Sequence, residues 1–144
     1  MRNSESVTKV LIVDARPENL LALSRVIDQH DRVIHQASSG EEALSLLLEH
    51  DFALAILDVM MPDMDGFELA ELMRGTERTR NVPIVFVSAA GKELNYAFKG
   101  YETGAVDFLH KPLDVAAVKS KGNVFVAMAQ QREEVRLQVE ALEQ

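Results

Sequence analysis

Short apolar runs alternate with longer segments of helical period along this chain. Val10-Leu11-Ile12-Val13 is a β-branched-rich run that ends on Asp14. Ala53-Leu54-Ala55-Ile56-Leu57 ends on Asp58, and Pro83-Ile84-Val85-Phe86-Val87 ends on Ser88-Ala89-Ala90-Gly91. Such runs suit strands buried on both faces. Arg32 to Gln36 is shorter and mixed, with Val33 and His35 on one side and Ile34 on the other, and Ala105 to Leu109 is the last short strand. Between the runs the period changes. Pro17 fits a first helical turn, and Leu20, Leu23 and Ile27 follow at helical spacing to about residue 29. Ser39-Gly40-Glu41-Glu42 matches a capping box, opening a helix with Ala43, Leu44, Leu47 and Leu48 on one face. Phe67 to Arg74 reads as a helix ended near Gly75. Leu94, Ala97, Phe98 and Tyr101 form a helical face ended by Gly104.

Strand and helix therefore repeat five times with short connections. That order implies a parallel sheet covered by helices on both faces, with right-handed crossovers. The expected fold class is α/β: a five-stranded, doubly wound, flavodoxin-like (βα)5 sheet in the order 2-1-3-4-5, with an extended C-terminal helix. In that order the first and third strands are neighbours. Asp14 and Asp58 then sit together at the C-terminal edge of the sheet, where open α/β sheets bind ligands. Ser88 and Lys111 end the neighbouring strands at the same edge. Two adjacent carboxylates favour a bound hard cation, which relieves their repulsion. A hydroxyl and an ammonium beside them suit the oxygens of a transferring phosphoryl group. A carboxylate can itself accept that group as an acyl phosphate.

Composition narrows the chemistry. The 144 residues contain no cysteine, which excludes disulfides and thiolate metal sites. A net charge of −8 without a basic run argues against nucleic-acid binding. No apolar stretch approaches membrane-spanning length. The segment Met1-Arg2-Asn3-Ser4-Glu5-Ser6 lacks the apolar core of a signal peptide, so a cytoplasmic location is expected. Neither GxxxxGK nor GxGxxG occurs, and there is no Gly-x-Ser-x-Gly elbow. His30, His35, His50 and His110 form no zinc motif.

The runs ending at Asp14 and Asp58, with Leu57-Asp58-Val59-Met60-Met61-Pro62-Asp63-Met64-Asp65-Gly66, Val87-Ser88-Ala89 and Gly104-Ala105-Val106-Asp107-Phe108-Leu109-His110-Lys111-Pro112, resemble the receiver domains of two-component response regulators. The resemblance covers residues 8 to about 130. It implies that Asp58 is the phosphoacceptor, supplied by a histidine kinase or phosphotransfer protein, and that the domain is a switch, not a dedicated enzyme. Asp14, Asp58 and the backbone carbonyl of Met60 match the Mg²⁺ contacts. Lys111 and Ser88 match the groups that hold the phosphoryl, and Ser88 and Phe108 match the switch pair. One departure matters. Where the family carries two acids after the first strand, this chain has Asp14-Ala15, and one carboxylate fewer weakens divalent-ion binding. Glu18, one turn on, is a candidate for partial substitution. The alternative reading is accordingly an atypical receiver that works as a phosphorylation-independent interaction or dimerisation module. Met60 and Ala90 stand two residues beyond Asp58 and Ser88. The resemblance implies that these two positions influence how fast the acyl phosphate hydrolyses; neither side chain can orient an attacking water, so slow loss of the phosphoryl group is expected.

From Leu113 the pattern is helical to the end, with Gly122 and Asn123 its weak points. Val118, Phe125, Met128, Val135, Val139 and Leu142 keep a 3–4 spacing, with Lys121 and Arg132 at the two remaining seam positions. That is a coiled-coil-like seam, suited to a homodimer or a signalling linker. The expected organisation is a disordered N-terminus over 1–7 and a receiver domain over 8–122. The last helix, over 113–144, runs on into the linker, with the output domain beyond this chain.

Overall fold

The computed structural model describes residues 8–89, 107–111 and 114–142. Strands β1 (Thr8–Val13), β2 (Arg32–Ala37), β3 (Leu54–Asp58), β4 (Ile84–Ala89) and β5 (Asp107–Lys111) form one parallel sheet in the order β2-β1-β3-β4-β5. This is the order expected from the βα repeat. Helices α1 (Pro17–Ile27), α2 (Gly40–Glu49), α3 (Gly66–Arg74) and α4 (Val115–Leu142) accompany it. The helix expected over Leu94–Tyr101 and the N-terminal segment 1–7 lie outside the described residues.

Alternation along the strands sorts the core into two layers. Leu11, Val13, Ala55, Leu57, Ile84, Phe86 and Phe108 face α2 and α3. Val10, Ile12, Leu54, Ile56, Val85, Val87 and Leu109 face α1 and the start of α4. All five residues of β3 are buried, Asp58 included. Edge strand β2 is only partly covered, with Val33 44% exposed.

Several local expectations shift. Helix α1 ends at Ile27, and Leu48 of α2 points to solvent, 68% exposed. Ser39 caps α2 by accepting from the Glu42 N–H at 3.1 Å. The Glu42 carboxylate, however, accepts from Ser38 N–H and Oγ rather than closing the box on Ser39. A reciprocal box forms instead at Asp65 and Glu68, opening α3. Strand β5 continues through His110 and Lys111.

Gly122 and Asn123 are the points at which α4 is held, not weak ones. A Cβ on Gly122 would stand 3.2 Å from Ile27 Cγ1, so the missing side chain lets α4 lie close to α1. Asn123 Oδ1 accepts from Gln29 Nε2 at 3.0 Å and from Arg32 at 3.1 Å. The Arg32 side chain is 3% exposed and also donates to the Ile27 carbonyl and to Asp31. Gln130 reaches Thr8 Oγ1 and Asp31 Oδ2, both at 3.2 Å. Beyond Gln130 none of the described residues of α4 is buried.

Beside the β2 edge, the His35 and His50 rings stack 4.4 Å apart, with Phe52 edge-on to both. Lys9 Nζ lies 3.1 Å from His50 Nδ1. Burial first, then the neighbouring His50 and Lys9, push the His35 pKa below the ordinary histidine value. The unfolded chain therefore takes up this proton first as pH falls. The stability His35 contributes is complete above about 6.5 and is lost as pH falls towards the lower folded-state value. Urea unfolding midpoints are expected to drop between pH 7.5 and 5.5, and to drop less in His35→Gln. An unchanged slope in that variant would remove His35 from the account.

Candidate phosphoacceptor site

The site is made by strand ends. Val13 pairs in register with Leu57, so Asp14 and Asp58 are the next residues on adjacent central strands, about 4.8 Å apart between backbones. Both are buried, 4% and 3% exposed. Asp58 pairs with Val87, which places Ser88, 3% exposed, one residue further along β4. Ala89 pairs with Lys111 on β5. The sheet thus brings the backbones of Asp14, Asp58, Ser88 and Lys111 to one edge, as expected. The Lys111 side chain and Ala90 lie outside what the structure describes.

The loop after β3 is held against the strand. Val59 N–H donates to the Val87 carbonyl at 2.9 Å, and Gly66 N–H donates to the Val59 carbonyl at 3.0 Å. Asp63 takes φ 69°, a left-handed conformation that Asp tolerates better than most side chains. Met60 lies on the outside of this loop, 59% exposed. Phe108 is buried, its ring 5.5 Å from that of Phe86.

Asp14 is held from α1. Its Oδ1 accepts from the Arg16 N–H at 2.9 Å and from Asn19 Nδ2 at 3.4 Å. Ala15 follows it, half-buried. Glu18 faces water and pairs with Arg16 at 3.1 Å, its side chain 63% exposed. Its carboxylate pKa is held down first by a hydrogen bond to its own backbone and then by Arg16, against an opposing burial penalty. Glu18 is thus engaged at the surface, on the Arg16 side of the turn.

The donors present suit a hard divalent cation, which takes oxygen ligands. Two buried carboxylates side by side repel unless positive charge lies near. Among the described residues no group of three or more His, Cys, Asp or Glu side chains is placed to hold a metal. The acids that the paired strand ends bring to this edge are Asp14 and Asp58.

The profile of the response regulator receiver domain family matches residues 10–122. The chain belongs to this family, the receiver domains of two-component signalling. It is 36% identical over 104 residues to the transcriptional regulatory protein SrrA of Staphylococcus aureus (strain NCTC 8325 / PS 47), covering 72% of this chain and 42% of that protein. It is 33% identical over 112 residues to a probable cyclic di-GMP phosphodiesterase of Vibrio cholerae, covering 78% of this chain and 25% of that protein. The chain thus spans less than half the length of either relative. A crystal structure of a putative response regulator from Chloroflexus aurantiacus superposes with a TM-score of 0.76 at 29% identity, covering 84% of this chain and 98% of that one.

Asn19, Arg32 and Gln130 were not legible as contacts in the sequence. The Asp65–Glu68 box is absent from the sequence reading, although its signal is there: an acid followed three residues later by Glu before an apolar run.

Proposed function

We propose that the domain accepts a phosphoryl group on Asp58 from the phosphohistidine of a histidine kinase or phosphotransfer protein. The observation that carries this reading is the pair of buried carboxylates at the ends of the paired central strands. A carboxylate oxygen of Asp58 attacks the phosphorus, the P–N bond breaks, and its electron pair returns to the donor's imidazole. Asp14, Asp58 and the Met60 carbonyl would hold Mg²⁺. When bound, the ion offsets charge on the transferring group. Lys111 pairs with the phosphoryl and Ser88 donates to it. The added charge biases a two-state equilibrium in which Ser88 and Phe108 move and change the surface of β5 and α4. Ala15 makes the metal site weaker than in receivers with two acids there. If that weakness is complete, the domain works by binding alone.

Intact mass spectrometry after incubation with acetyl phosphate tests the acceptor. A single phosphoryl gain is expected in the parent with Mg²⁺, much reduced without it, and none in Asp58→Asn. A gain that persists in Asp58→Asn would move the acceptor elsewhere.

The exposed end of α4 supports a parallel pairing with a second copy. Val118 is buried and Phe125 half-buried against the domain. The outward part of the seam is therefore Met128, Val135, Val139 and Leu142, each 48% exposed or more. Arg132 sits in that seam and lowers its stability. Sedimentation should show a dimer whose dissociation constant rises at least about tenfold in a Val135→Glu, Val139→Glu double variant. A monomer at high concentration in the parent would end this reading.

A further inference from the structure

We propose that Asn19 is a positioning residue for the metal site, acting through Asp14; the inference rests on the metal-dependent reading above. Asn19 lies in the first turn of α1, after Pro17 and Glu18. Helical side chains lean back towards the N-terminus. From there its amide reaches Asp14 across the turn that leaves β1, Nδ2 standing 3.4 Å from Asp14 Oδ1. The same oxygen accepts from the Arg16 N–H at 2.9 Å. Two donors on one oxygen, one of the main chain and one of a side chain, fix the plane of the carboxylate. They leave its other oxygen set by that plane. The residue at the N-cap, Arg16, makes no side-chain cap of its own, so Asp14 and Asn19 together organise this turn.

The arrangement matters more here than in a site with a spare acid. With Ala15 beside it, Asp14 is the one side-chain ligand available from the β1 end, and misorientation has no second carboxylate to absorb it. Groups that hydrogen-bond a ligating carboxylate typically contribute about tenfold or more to metal affinity. The Asn19 contact is long for a hydrogen bond, which places the effect at the lower end of that range. A neutral amide is also the right partner chemically. It donates to Oδ1 without adding a positive charge that would repel the cation.

The test is Mg²⁺ titration of the intact chain, followed by the amide NMR shifts of Asp14, Asp58 and Val59, in parent, Asn19→Ala, Asn19→Asp and Asp58→Asn. Thermal unfolding without metal runs beside it. In Asn19→Ala the Mg²⁺ dissociation constant is expected to rise several-fold to about tenfold, with little change in unfolding temperature, since the Arg16 N–H bond remains. Asn19→Asp, which replaces the donor by an acceptor against Oδ1, should not restore parent affinity through hydrogen bonding at this oxygen. A dissociation constant equal to the parent's in Asn19→Ala overturns the inference, whatever happens to stability. An unfolding temperature that falls while affinity holds assigns Asn19 a structural role alone. Parent shifts that do not respond to Mg²⁺, or respond equally in Asp58→Asn, overturn the metal reading and the positioning role with it. Parent binding that survives with Asn19→Ala unchanged overturns the positioning role only.

Discussion

Replacing Ala15 with Asp is expected to tighten Mg²⁺ binding by at least about tenfold, roughly 1.4 kcal/mol, and to speed phosphorylation of Asp58 in step. Ala15 directly follows Asp14 at the end of β1 and is half-buried. A carboxylate there joins two that are already buried. The same change should act with opposite sign on the metal-free fold. A third negative charge in a low-dielectric pocket raises repulsion. The Ala15→Asp variant should therefore unfold at a lower temperature than the parent without Mg²⁺, and the order should reverse in excess Mg²⁺. Ligand at about 100 times its dissociation constant adds about 2.7 kcal/mol to a fold that binds it. Thermal unfolding of both proteins with and without Mg²⁺ reads the crossover directly. Equal Mg²⁺ affinities would mean that the acid missing at position 15 is supplied by another group.

Gly66→Ala is expected to destabilise the domain by about 3 kcal/mol or more. It should also slow phosphorylation beyond what the lost stability explains. A Cβ at this position would stand 2.3 Å from the Asp58 carbonyl oxygen, 3.0 Å from its carbon and 3.1 Å from Val59 Cα. All three are backbone atoms of β3 and the residue after it, so none can swing aside. The intrinsic preference runs the other way. Alanine is better than glycine in a helix by about 1 kcal/mol, and Gly66 is the first residue of α3. The sign of the measured change therefore decides which effect rules. The Val59–Gly66 hydrogen bond would open with the turn, and the backbone that presents Asp58 would move with it. A Gly66→Ala variant with the parent's urea midpoint would show that α3 can retreat at no cost.

Much of this fold is legible in the order of residues alone. Leu20, Leu23 and Ile27 are buried on α1 at the spacing the sequence showed. The apolar runs ending in Asp14 and Asp58 became adjacent strands because five βα units admit few right-handed arrangements. The failures were local and have a common cause. Leu48 and Leu47 are alike in sequence, and only the placement of α2 on the sheet decides which is buried. Glu42 fits a capping box by spacing, but Ser38 offers its carboxylate both a backbone N–H and a hydroxyl.

The C-terminal helix shows the same division at larger scale. A single 3–4 pattern runs from Val118 to Leu142, yet its first part packs on the domain and its last part faces water. Periodicity reports that a face is apolar and is silent on what covers it. The clamp that divides the two is polar: Arg32, Asn123, Gln29 and Gln130, drawn from segments about ninety residues apart. The chain by itself determined the fold class and the acids at the sheet edge, because these follow from period, strand length and connection length. Tertiary structure alone decided that Asn19 holds Asp14, that Glu18 turns to Arg16, and where α4 leaves the body. Each of those depends on distances between groups whose separation in space no sequence spacing encodes.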